Sequence, residues 1–167
     1  MSEETTMDVP DRPASGREAR GVGAGRDELA ERVARAVGED GAVDAPGGLR
    51  LLRQSSPTPK EHGVSSPAFC VIAQGSKEVW LSDDCYRYDA NHYLITAAAL
   101  PTATRVTGAS EERPYLGVVL GLDPALVGSV MVEAGHPAPR DRTAVRAVDV
   151  SPLDASLLDA VVRLVRL

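Results

Sequence analysis

The 167-residue sequence predicts a mainly β domain, an antiparallel barrel or sandwich, with helices before and after it. Three observations carry this. All six aromatic residues, Phe69, Trp80, Tyr86, Tyr88, Tyr93 and Tyr115, and both cysteines, Cys70 and Cys85, fall between Pro67 and Asp123, so the bulky core material is concentrated there. Within that block the apolar runs FCVIA, EVWL, YLITAA and YLGVVLGL have strand length and are separated by the turn-forming clusters QGSK, SDD, DAN and ASEERP. Outside the block the apolar spacing changes to that of helices.

In chain order, residues 1–25 are rich in charged residues, Gly, Ser and Pro and read as a disordered leader. From Arg26 to Val37, Leu29, Val33 and Val37 share one face of a short amphipathic helix that Gly38 stops, so 26–44 reads as helix and turn. LRLLRQ (49–54) is a first strand, and the proline-bearing 55–67 reads as a crossing loop. The central block supplies strands near 69–73, 77–82, 85–88, 92–97, 103–107 and 115–122, with Asn91 expected at positive φ in the turn after Asp89. Pro124 opens a helix, expected to pack back on the sheet through Leu126, Val127, Val130 and Met131. Residues 136–150 read as loop with at most a short strand. The last helix starts with Ser151 as N-cap and Pro152 at its first position. Its apolar stripe Leu153, Leu157, Val161, Leu164 is that of a packing or dimerisation seam, and the sequence ends at Leu167 without a C-terminal helix signal, as if a longer protein continued.

The formal net charge of -6 and a pI near 5.1 argue against a nucleic-acid surface. No apolar stretch reaches the roughly 18–20 residues of a membrane span and the amino terminus has no apolar signal region, so a cytoplasmic protein with free thiols is expected. His62, His92 and His136 lack metal-ligand spacing, and no nucleophilic triad is legible; neither metal nor cofactor is expected. The glycines of GVGAG follow no strand and read as linker. Trp80, Tyr86, Tyr88, His92, Tyr93 and Arg105 are the candidate ligand contacts, because aromatic faces and a cation suit a small-molecule site. The competing reading makes the aromatics core and pairs Arg105 with Glu111 or Glu112 on the surface.

The runs PAFCVIAQGSKEVWL, YRYDANHYLITAAALP and ASEERPYLGVVLGLDPALV, in that order, resemble the N-terminal regulatory domain of AraC-type transcription regulators over residues 45–167. Gln74-Gly75 with Lys77, Tyr88-Asp89, Tyr93-Leu94, Leu100-Pro101 and Pro114-Tyr115-Leu116 match the motif positions. Asn91 stands where glycine is usual, and Ala99 where an acidic residue is often found. The resemblance implies a cupin-like, jelly-roll type barrel at 45–150 that senses an effector, a helix from 151 that dimerises or packs, and DNA binding only through a C-terminal domain outside this sequence. It also implies that Gly75 serves a turn, that Tyr93 and Leu94 pack, and that Pro101 closes a strand. The expected partners are thus a small-molecule effector and a second copy of the chain. Two other classes compete: a stand-alone cupin-type metal-dependent enzyme, disfavoured by the missing ligand spacing, and a remnant that dimerises without sensing.

Overall fold

The computed structural model describes residues 16–136 and 146–166. Helix α1 (Gly16–Ala36) is followed by nine strands: β1 (Gly41–Ala45), β2 (Leu49–Gln54), β3 (Glu61–Ser65), β4 (Ala68–Gln74), β5 (Ser76–Leu81), β6 (Asp84–Asp89), β7 (His92–Thr96), β8 (Leu100–Gly108) and β9 (Tyr115–Gly121). Helix α2 (Pro124–Glu133), strand β10 (Val148–Pro152) and helix α3 (Ala155–Val165) complete the chain. The strands form two sheets, one of six in the order β1-β2-β9-β4-β7-β10 and one of four in the order β3-β8-β5-β6, and all the pairings are antiparallel. They face each other as an open, cupin-like sandwich rather than a closed ring.

The layering explains the sequence pattern. The six-stranded sheet is covered on both faces: Leu49, Leu51, Val71, Ala73, Leu116 and Val118 pack under α1 and α3, while Ile72, Leu94, Tyr115 and Val148 face the second sheet. Strands buried on both faces read as unbroken apolar runs, as FCVIA and YLGVVLGL do. The four-stranded sheet has one covered face, so β5 alternates, with Val79 inward and Glu78 and Trp80 outward. Between β4 and β5, Gly75 sits at φ +93, and a Cβ there would collide with the carbonyl oxygen of Gly108. Glycine is therefore required at this turn, as the motif implied.

Several expectations are corrected. Residues 1–15 of the expected leader lie outside the described residues, but 16–25 are helical, because Val22 joins the core and Gly25 lets α3 approach. The GVGAG glycines are thus part of α1, not a linker. The crossing loop contains β3, paired with β8, and the turn-rich 41–45 forms β1, paired with β2; both are edge strands whose exposure hides them from an apolar pattern. Asn91 does not take positive φ; Ser82 does, at 54°, and the turn at 89–91 is held instead by the Asp89 carboxylate accepting from the Asn91 amide at 2.9 Å. Helix α2 does not pack on the sheet: none of its residues is buried, and Leu126, Val130 and Val132 are exposed, since its apolar residues encircle it rather than share a face. Ser151 and Pro152 end β10, and Asp154 is the N-cap of α3, accepting from the Leu157 amide at 2.8 Å. Finally, of the two uses expected for the stripe, packing or dimerisation, the fold shows packing within the chain. Leu153 and Val161 are buried, and Leu157 and Leu164 pack against the same cluster as Leu29 and Val33 of α1.

Candidate functional site

Facing sheets that do not close leave a space between them, and here it is a cavity of about 320 Å³. Its walls come from the inner faces of β4 (Cys70), β5 (Lys77, Val79), β6 (Tyr88), β7 (Leu94, Thr96), β8 (Thr102, Thr104) and β9 (Val119). The edge strand β3 forms the rim, with Glu61 and His62 exposed to solvent. Val79, Leu94 and Val119 make one part of the lining apolar, and hydroxyl, thiol and ammonium groups make another.

Lys77 is placed by the pleat of β5: it pairs across the ladder with Tyr88 on β6, so both side chains emerge on the inner face. Lys77 keeps part of its surface, yet burial pulls its pKa below the ordinary lysine value, opposed by the Cys70 and Glu61 sulfur and carboxylate nearby. Among the described residues it makes no ion pair or hydrogen bond. Burial pushes the Cys70 thiol up to about 11 and lifts the Tyr88 phenol well above its usual range, so both keep their protons at neutral pH. Thr96 is satisfied internally, its hydroxyl donating to the Ser66 carbonyl at 2.6 Å.

Of the six expected ligand contacts only Tyr88 lines this cavity. Tyr86 is buried in the inner core. Tyr93 is half-buried on the helix-covered face, its ring 5.3 Å from that of Phe69. His92 faces Asp89, with Nδ1 3.0 Å from the carboxylate. Trp80, expected inside the barrel, lies on its outer face between Lys60, 4.0 Å from the ring centre, and Arg105 at 5.2 Å. Arg105 pairs with neither Glu111 nor Glu112: it donates to Glu78 at 2.6 and 3.0 Å, and Arg87 donates to the other Glu78 oxygen at 2.8 Å. Sequence reasoning missed Lys77 as a site residue. The signal was present in KEVWL, where Lys77 shares the strand parity of Val79 and therefore its inward face.

Among the described residues no three His, Cys, Asp or Glu side chains converge as a metal site would need, and no helix is long and apolar enough to cross a membrane.

No curated protein matches the sequence. Solved structures of ToxT from Vibrio cholerae share the fold at 9% identity. An apo form of a ToxT variant from strain SCE256 matches with a TM-score of 0.50, covering 74% of this chain and 49% of that one. The wild-type protein of that strain bound to an unsaturated fatty acid matches with a TM-score of 0.50, covering 71% and 45%. ToxT from strain O395 bound to (E)-4-(8-methylnaphthalen-1-yl)but-3-enoic acid matches with a TM-score of 0.52, covering 71% and 46%. The chain thus spans about half the length of these proteins. The family described as AraC-type transcriptional regulator N-terminus matches residues 46–167, and with the two-sheet fold and helical cover described above, the chain belongs to that family.

Proposed function

We propose that this chain is the effector-sensing part of a transcription regulator, that its effector is a small molecule held in the cavity between the sheets, and that DNA is contacted by a separate domain. The observation that carries the reading is the cavity itself: about 320 Å³, within the usual range of roughly 300–1,000 Å³ for small-molecule sites, and lined by apolar walls with a few polar groups. The ToxT structures that share the fold include complexes with a fatty acid and with a naphthalenyl butenoic acid, which supports small-molecule sensing as the use of such a domain. The balance of 24 acidic against 18 basic residues supports leaving DNA contact to another part of the protein. The chemistry is binding, with no catalytic step.

Thermal unfolding of the protein against a panel of small organic acids, alcohols and sugars tests this. A ligand at 100 times its Kd adds about 2.7 kcal/mol of stability, and a cavity-filling change such as Val79→Phe should abolish the shift. Shifts that survive Val79→Phe would place binding elsewhere and overturn the reading, as would a panel that moves nothing.

A further inference from the structure

We infer that the cavity selects a singly charged acid, a carboxylate on an apolar body, by presenting the Lys77 ammonium and the Tyr88 hydroxyl to its head group. This rests on the sensing reading above and names the ligand class of the same site. The two residues are opposite each other in the β5–β6 ladder and both line the cavity. Facing pairs in a ladder stand about 5 Å apart at their Cβ atoms, so their polar ends can converge on one acceptor. Neither side chain makes a hydrogen bond or ion pair among the described residues. Each therefore presents a donor to the cavity that no side chain among the described residues engages, and a guest that brings an acceptor gains those hydrogen bonds.

The surroundings narrow what that acceptor is. Cys70 and Tyr88 stay protonated, so neither neutralises Lys77. Glu61 is felt electrostatically but stands at the exposed rim, beyond ion-pair distance. One ammonium and one hydroxyl match a single negative charge. A phosphate dianion would leave one of its two charges unmatched by a single ammonium, and no arginine is among the lining residues. Val79, Leu94 and Val119 then cover an apolar body, which a sugar or a free small anion would leave unused.

Isothermal titration of the 167-residue protein with decanoate, 1-decanol and decyl phosphate tests the assignment, in the wild type and in Lys77→Met and Tyr88→Phe. Expected are decanoate binding at least tenfold tighter than decanol, weaker binding of decyl phosphate, and loss of the acid preference in Lys77→Met with decanol binding retained. Tyr88→Phe should reduce the preference severalfold. Equal binding of acid and alcohol by the wild type, or a preference that persists in Lys77→Met, would overturn the assignment and leave the sensing reading standing. Failure of the wild type to bind any of the three would overturn the assignment, while the sensing reading falls only if the wider panel also moves nothing.

Discussion

Gly25 of α1 faces Leu158 of α3 so closely that a Cβ at position 25 would lie 3.1 Å from Leu158 Cδ2. Leu158 is buried and has little freedom to retreat. The other two glycines of the same run, Gly21 and Gly23, meet nothing within 4 Å. Replacing a helical glycine by alanine ordinarily gains about 0.5–1 kcal/mol, so Gly21→Ala and Gly23→Ala should each raise the urea midpoint while Gly25→Ala should not. An equal gain at all three positions would show that α3 yields freely.

Lys77→Met should stabilise the protein at neutral pH by about 0.5–2 kcal/mol, the range of common stabilising changes, because it removes a cation whose burial costs more than nearby Cys70 and Glu61 return. The pH dependence gives a second check. Burial lowers the folded-state pKa of Lys77, with Cys70 and Glu61 pulling the other way. Between that lowered value and the ordinary 10.5, the unfolded chain holds a proton that the folded chain lacks, so stability climbs as pH rises through this window. Denaturation midpoints of wild type should climb there and those of Lys77→Met should climb less; parallel profiles would place the ammonium in water.

Glu78→Gln should be most destabilising at neutral pH and least in acid. Burial alone would raise the Glu78 pKa, but hydrogen bonds from Arg87 and Arg105 outweigh it and leave the carboxyl below its usual range. Its contribution is present above the ordinary value of 4.5 and is lost as pH falls through the folded-state value. Glu78 is buried while both arginines are about half exposed. The cost at pH 7 should therefore fall between the roughly 1 kcal/mol of an exposed pair and the roughly 3–5 kcal/mol of breaking a buried one. Guanidinium unfolding is unsuitable because salt screens the pair, so urea at pH 7 and pH 3 is the measurement; a difference that does not shrink at pH 3 would refute the pairing.

The double change Leu157→Glu with Val161→Glu should unfold the protein rather than dissociate an oligomer. Val161 is buried and Leu157 packs on the same cluster, and a carboxylate without a partner in such a place is costly. Far-ultraviolet circular dichroism and sedimentation read together decide it: a well-folded variant that merely sediments as a smaller species would return the stripe to an intermolecular role.

The elements legible in the sequence were those whose burial is strong and regular. LRLLRQ matches β2 residue for residue, and Leu29 and Val33 of α1 and Val37 just after it are buried as their spacing required. The misreadings concern elements whose existence depends on a distant partner. Nothing local in EHGVS announces a strand; β8 supplies its ladder from some forty residues away in sequence. The amphipathic stripe on α3 was visible, but not whether another helix of the same chain would cover it, and α1 does. The ligand candidates went astray for a related reason. Aromatic identity says that a residue is large, whereas strand parity says which way it points, and parity separates Tyr88 and Lys77 on the inside from Trp80 and Arg105 on the outside.

Strand β7 contributes Leu94 and Thr96 to the cavity wall, and the residues directly opposite them on β10 are Val150 and Val148. Only Leu153 and Asp154 separate the end of β10 from the start of α3, and the Leu153 amide is itself tied to the Asn91 carbonyl at 2.8 Å. There is no slack in this path. On the sensing reading proposed above, a wall displaced by a guest would pull on β10 through main-chain bonds that no side-chain substitution can sever, and through it on α3, which meets α1 at Gly25. On that same reading, this close contact, made possible by a missing methyl group, would set how far a displaced wall is felt on the far side of the sheet.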